Sequence, residues 1–184
     1  MRDEDMSLVA IDNSGDANDT WPTEGVSRSK IHFYFCVDGK ASFEFGPHYS
    51  REIQQQKNYF FYNPEKDLPF VLKIAAKTRM IILSITLEGL HRLFVHDALP
   101  FLKPENVNRT FYDERDIPAH LYVVLNQLFT IQISQTSEQL YYKAKTLELL
   151  SLYFSTKTSE HRKLSRSSMT RKRSARSSML RSTF

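Results

Sequence analysis

The sequence predicts an α+β chain: a closed antiparallel β-structure, barrel or sandwich, followed by a short helix and an antiparallel two-helix hairpin. Three observations predict it. Between residues 31 and 86, apolar side chains alternate over short runs bounded by Gly, Pro and Asn, the period of half-buried strands. Residues 31–70 hold eleven of the twenty-two Phe and Tyr, more than one face of a single sheet needs. After Thr86 the apolar spacing changes to three and four, the period of amphipathic helices.

The elements follow in order. Residues 1–29 are rich in Asp, Asn, Ser and Thr, with only Leu8-Val9-Ala10-Ile11 and Trp21 to bury, so a flexible N-terminal arm is expected. Ile31, Phe33, Phe35 and Val37 then alternate with His32, Tyr34 and Cys36. Asp38-Gly39 interrupts, and Ala41, Phe43 and Phe45 alternate with Ser42 and Glu44. This predicts a β-hairpin with a two-residue turn, because Asp-Gly takes the positive φ angles of a type I′ connection. Three more strands are expected at residues 59–62, 70–75 and 79–86, giving five.

A short helix is expected over residues 88–95, with Leu90, Leu93 and Phe94 on one side. A longer one starts at Asp116 as N-cap with Pro118 in its first turn, and carries the stripe Ile117, Leu121, Val124, Leu125, Leu128, Ile131. Negative charge at Asp113, Glu114 and Asp116 then reads as capping the helix dipole. A second long helix is capped by Thr136 or Ser137. Its Leu140, Ala144, Leu147, Ser151 and Phe154 follow a 4-3-4-3 spacing, with Tyr141 and Leu150 widening the face. The link at residues 134–136 is too short to do anything but fold the pair back on itself.

Charge narrows the function classes. Residues 157–184 carry nine Lys or Arg against Glu160 alone, a net of +8, whereas the rest carries a net of −4. Basicity therefore belongs to the tail, and the bulk of the chain offers no broad phosphate-binding surface. The tail repeats Arg-Ser-Ser-Met at 166–169 and 176–179 and contains nothing that forms a core. Any nucleic-acid binding through it is expected to be weak and indiscriminate, since sequence-specific readout needs placed side chains at base edges. The single cysteine, Cys36, excludes an internal disulfide framework and fits a reducing compartment. No run approaches the roughly 20 apolar residues of a membrane span, so no membrane association and a cytoplasmic location are expected. Five glycines leave no Gly-rich phosphate loop.

Three strings carry a resemblance. His32-Phe33-Tyr34-Phe35-Cys36-Val37-Asp38-Gly39 resembles the opening strand and turn of the effector-sensing half of arabinose-regulator-type (AraC/XylS) transcription factors. Leu90-His91-Arg92-Leu93-Phe94 resembles its short helix, and the string from Leu140 to Leu150 its final helix. The resemblance covers about residues 30–156. It implies a cupin-like β-barrel or jelly roll, a helical dimerisation hairpin at about 117–156, a homodimer, a small-molecule effector and no enzymatic activity. Such regulators usually continue into two helix-turn-helix units, whereas this sequence passes into the basic Ser/Arg-rich tail, so no specific DNA binding is expected from this chain alone. Purine-rich Lys and Glu codons read one base out of register yield Ser and Arg triplets, so the tail is attributed to a frameshift or truncation. An intact helix-turn-helix frame directly downstream in the gene is the expected finding, and its absence would end that hypothesis.

The candidate ligand-binding residues are His32, Phe33, Phe35, Phe43, Phe45, Tyr59 and Phe61, with core packing as their alternative, because strand alternation does not say which face is inward. For His32 a hydrogen-bonded strand histidine is the more frequent case. Cys36 reads as a small apolar filler rather than a reactive thiol. No cofactor, metal site or catalytic residue is expected: His32, His48, His91, His96, His120 and His161 show no His-x-His or His-Glu-x-x-His spacing. The candidate dimerisation stripe is Leu140, Ala144, Leu147, Ser151 and Phe154. Two other function classes stay open, a small cupin-fold metalloenzyme (isomerase or dioxygenase) and a non-specific nucleic-acid binder acting through the tail.

Overall fold

The computed structural model describes residues 4–21, 27–44, 49–65, 71–94, 99 and 108–155. Among these residues nine strands form two antiparallel sheets. In chain order they are β1 (Met6–Asn13), β2 (Asp19–Trp21), β3 (Lys30–Asp38), β4 (Ala41–Glu44), β5 (Ser50–Ile53), β6 (Lys57–Tyr62), β7 (Val71–Ile74), β8 (Thr78–Thr86) and β9 (Phe111–Asp116). The larger sheet has the order β1-β8-β3-β6-β9 and the smaller β2-β7-β4-β5. Among the described residues the two do not join into a closed barrel. They form a cupin-like jelly-roll sandwich, extended by β9, with helices α1 (Leu87–Leu93), α2 (Ala119–Thr130) and α3 (residues 138–155).

The molecule has three layers because the larger sheet is buried on both faces. Burial runs unbroken from Ile31 to Val37, where a half-buried strand would alternate. On one face Ile31, Phe33, Phe35, Phe60, Ile81 and Leu83 pack under Leu90, Leu121, Leu125, Leu149, Tyr153 and Phe154 of the helices. On the other, Tyr34, Cys36, Tyr59, Met80 and Ile82 meet Ala41, Phe43, Ile53, Leu72 and Ile74 of the smaller sheet. At about 1.5–3 kcal/mol for each large apolar side chain taken from water, these two clusters hold the layers together.

Three sequence expectations are corrected. The β3–β4 hairpin does not form: β3 pairs with β6 and β8, and β4 with β5 and β7. Asp38-Gly39 instead carries the chain around a corner from one sheet to the other. Thr78 clamps that corner, its hydroxyl accepting from the Lys40 amide at 3.1 Å and donating to the Lys40 carbonyl at 3.0 Å. Gly39 has φ +75°, and a Cβ there would lie 2.4 Å from Thr78 Oγ1. Local turn chemistry suited both outcomes, and burial on both faces of β3 selected the corner.

Within the expected arm, residues 6–13 form β1, paired along their whole length with β8, because Met6, Leu8 and Ile11 supply the apolar positions that cover its ends. Third, Asp116 ends β9 instead of capping a helix. Its carboxylate pairs with Lys57 at 2.8 Å, and α2 starts after Pro118 without a side-chain cap. Pairing of residues 111–116 with β6 overrides the local capping signal. By contrast α1 starts at a side-chain cap, Thr86 Oγ1 accepting from the Gly89 amide at 3.0 Å. Phe45 and residues 157–184 lie outside the described residues.

Candidate functional site

The β-register divides the space between the sheets into rows. The larger sheet presents four: Ile11, Met80, Cys36, Lys57 and Asp116 beside the corners, then Val9, Ile82, Tyr34, Tyr59 and Glu114, then Ser7, Ser84, His32, Phe61 and Tyr112, then Thr86 and Lys30. The strands described in the smaller sheet present two: Asp19, Ile74, Ala41 and Ile53, then Trp21, Leu72, Phe43 and Arg51. No strand position described in the smaller sheet stands opposite the third row of the larger one, and Tyr49, just before β5, adjoins Arg51 and Tyr112 there. This third row lies at the end away from the corners, level with the end of β6.

The middle of the sandwich is filled by rings. Phe43 meets Tyr34 edge-on at 4.8 Å between centroids and Tyr59 at 5.6 Å. Beyond them the lining turns polar and becomes less buried. His32 Nδ1 is 2.8 Å from Ser84 Oγ, and its other ring nitrogen is 3.4 Å from the Ser27 carbonyl. Burial disfavours the imidazolium and lowers the His32 pKa to about 4, so the ring is neutral at pH 7. Cys36 is fully buried and its thiol is pushed up to about 12, chiefly by burial, which leaves it no thiolate for chemistry.

The β5/β9 edge is closed by charge. Arg51 and Glu114 end facing inner rows and pair at 2.5 Å, with side chains 39% and 30% exposed. The guanidinium lies 4.7 Å from the centre of the Tyr112 ring, a cation–π contact. Tyr59 of β6 adds a hydroxyl bond to the Glu52 carbonyl of β5 at 3.2 Å.

The seven ligand candidates therefore separate. Phe33 and Phe35 point to the helices and belong to their core, whereas His32, Phe43, Tyr59 and Phe61 face between the sheets. Arg51, Tyr112, Glu114 and Ser84 were not singled out by sequence reasoning. An inward charge shows no apolar alternation, and Glu114 was assigned to a helix start. Pairing of β9 with β6 was the missing signal.

The dimerisation candidates separate as well. Phe154 is buried and meets Phe94 edge-on at 5.1 Å. Leu140, Ala144, Leu147 and Ser151 form one exposed stripe on α3, with Leu140 74% exposed. The helix buries instead Thr146, Leu149, Leu150 and Tyr153. Tyr141 and Lys145 face α2, both bonding to Gln127, at 3.2 and 2.5 Å.

Among the described residues, no group of three or more His, Cys, Asp or Glu is placed to hold a metal ion. None of the helices described is long and apolar enough to cross a membrane.

Comparison with known proteins agrees with this architecture. The chain superposes on an apo variant of ToxT from Vibrio cholerae with a TM-score of 0.51 at 13% identity, covering 84% of this chain and 56% of that one. A structure of ToxT from the same organism with an unsaturated fatty acid bound gives 0.49 at 13% identity, covering 84% and 54%. A Bacillus subtilis oxalate decarboxylase gives 0.32 at 11% identity, covering 45% and 21%. The chain spans little more than half the length of the ToxT structures it matches. No curated protein matches by sequence. The family described as the regulatory protein PchR N-terminal domain matches residues 4–169, running through β1 and every helix described. The chain thus belongs to the PchR N-terminal domain family, the N-terminal region of AraC-family transcription regulators.

Proposed function

We propose that this chain is a non-enzymatic effector-sensing and dimerisation region of a cytoplasmic AraC-family regulator. The effector is a small molecule taken between the sheets at the end of the sandwich away from the corners. One observation carries the reading: the row Ser7, Ser84, His32, Phe61 and Tyr112 is inward-facing, polar and aromatic, and among the described residues no strand position of the smaller sheet stands opposite it. Ligand sites join apolar surface to a few placed polar groups; here Phe61 and Tyr112 supply the rings and Ser7, Ser84 and His32 the polar atoms. Of the sequence candidates, His32, Phe43, Tyr59 and Phe61 stay with the site, and Phe33 and Phe35 leave it.

Dimerisation rests on the exposed α3 stripe. Two copies of α3 laid antiparallel about a two-fold axis between residues 145 and 146 bring Leu140 opposite Ser151 and Ala144 opposite Leu147. Each large side chain then meets a small one, the complementarity of an isologous interface. Ligand control requires that the two arrangements of such a dimer bind effector with different affinity.

Native mass spectrometry of protein taken directly from cells tests both parts, because one spectrum reports subunit number and retained compound. A dimer carrying an organic small molecule is the expected result. A monomer with stoichiometric iron, manganese, nickel or zinc would replace this reading with a cupin metalloenzyme.

A further inference from the structure

The outer face of the smaller sheet, turned away from the sandwich, carries a groove of about 400 Å³, a size at which small ligands are held. Its centre is the register row Thr20, Lys73, Ser42 and Glu52, one position from each strand. The chain neighbours Leu72, Phe43 and Ile53 are buried and point the other way, into the sandwich. A depression forms because the short side chains Ser42 and Ala75 lie among the long ones of Lys40, Lys73 and Glu52.

The charges of the lining divide into engaged and open groups. Lys73 Nζ is 2.7 Å from Glu44 Oε1, and the Asp19 carboxylate accepts from the Thr20 amide at 2.7 Å. Lys40 and Glu52 flank Ser42, the first two residues before it in the chain and the second opposite it on β5. Diagonal neighbours of this kind stand about 7–8 Å apart. Among the described residues neither the Lys40 ammonium nor the Glu52 carboxylate bonds to another group, and the Ser42 hydroxyl between them is likewise unengaged. The four charged residues of the lining, Lys40, Lys73, Asp19 and Glu52, sum to zero, so the groove favours neither an anion nor a cation as such.

We propose that this groove binds a small zwitterion of the α-amino-acid type with a short polar side chain. Its carboxylate meets Lys40, its ammonium meets Glu52, and its polar substituent bonds to the Ser42 hydroxyl. A singly charged ligand would engage one of the two open charges and leave the other to water. A neutral polyol would neutralise neither, and no aromatic ring is among the described lining residues to carry its apolar face. The groove lies on the opposite side of the smaller sheet from the effector row, so the two sites stand or fall separately.

Titration of the isotope-labelled full chain, followed through its backbone amide resonances, tests this with four probes: L-serine, its methyl ester as the cation alone, N-acetyl-L-serine as the anion alone, and D-glucose. L-serine is expected to bind in the millimolar range and to shift the amides of residues 18–20, 40–42, 50–52 and 73–75. Each singly charged analogue is expected to bind about two- to fivefold more weakly, the scale of one exposed ion pair. Lys40→Gln is expected to bring L-serine down to the level of the methyl ester and to leave the ester unchanged. Glu52→Gln is expected to bring it down to the level of N-acetyl-L-serine and to leave that probe unchanged, a selectivity that damage to the fold does not produce. L-serine binding that is equal in the wild type and both variants would overturn the charge assignment, and tighter binding of D-glucose would replace the zwitterion by a polyol. Shifts confined to the row of Ser84, His32 and Phe61 would move the compound to the effector site, and no shift with any of the four probes would remove the groove as a site while leaving the effector reading untouched.

Discussion

On the helix-facing side of β3, Ile31, Phe33, Phe35 and Val37 are each at most 1% exposed and meet apolar groups from three helices. On its other side, one residue along each time, His32, Tyr34 and Cys36 alternate a polar ring, a phenol and a small thiol. The two sides are equally buried and equally continuous, yet the first is a dry core and the second grades into a polar mouth. The difference teaches that burial alone does not separate scaffold from site. What separates them is whether the opposing layer continues. Helices cover the first face along its length, whereas the strands described in the smaller sheet oppose two rows of the second.

The largest expected effect tests the scaffold side. Phe33 makes edge contacts with Phe60, Tyr153 and Phe154 at 5.1, 5.1 and 6.1 Å between centroids. Phe33→Ala is expected to cost about 3–5 kcal/mol in urea unfolding, as for other buried aromatic truncations. Phe61→Ala, on a partly buried ring at the mouth, is expected to cost less than half of that. Equal losses would erase the distinction between the faces.

Titration gives the next effect. The folded His32 has a pKa of about 4 against 6.5 unfolded, so above 6.5 both states are neutral and stability is complete. As pH falls from 6.5 to 4 the unfolded chain takes up a proton that the folded chain refuses, and stability falls by roughly 3 kcal/mol. Melting curves across that window are expected to flatten by this amount in His32→Gln. An unchanged pH slope would mean that the ring is not desolvated.

Gly39→Ala probes the corner that places the two faces. Positive φ and the approach to Thr78 predict a loss of about 1–3 kcal/mol, read by chemical denaturation. A substitution without cost would show that the corner is free to relax.

The smallest stability effect is expected on α3. Leu147→Gln alters an exposed side chain and is expected to leave subunit stability within about 0.5 kcal/mol, while sedimentation shows dimer giving way to monomer. An unaltered dimer would place the interface elsewhere.

Much of this was legible locally. Strands β6, β7 and β8, the presence of α1, and the buried stripe Leu121, Val124, Leu125, Leu128 of α2 all follow from period and punctuation, whereas the Thr86 cap of α1 was not read from the sequence. The resemblance carried by three short strings agreed with the family match. The stripe Leu140, Ala144, Leu147, Ser151 was read correctly as periodic, but its orientation was not legible: α3 turns it outward and buries Leu149, Leu150 and Tyr153 instead. Apolar periodicity reports that a face exists and is silent about which of two faces a neighbour covers.

The sequence by itself determined the element types and the alternation of β3, because these depend on side chains within a few residues of each other. Only the tertiary structure decided that Asp38-Gly39 turns a corner between sheets, that residues 6–13 join β8, and that Arg51 meets Glu114 across 63 positions of chain. Those outcomes depend on pairing between distant strands, whose hydrogen bonds and buried area are set by register and leave no local period to read.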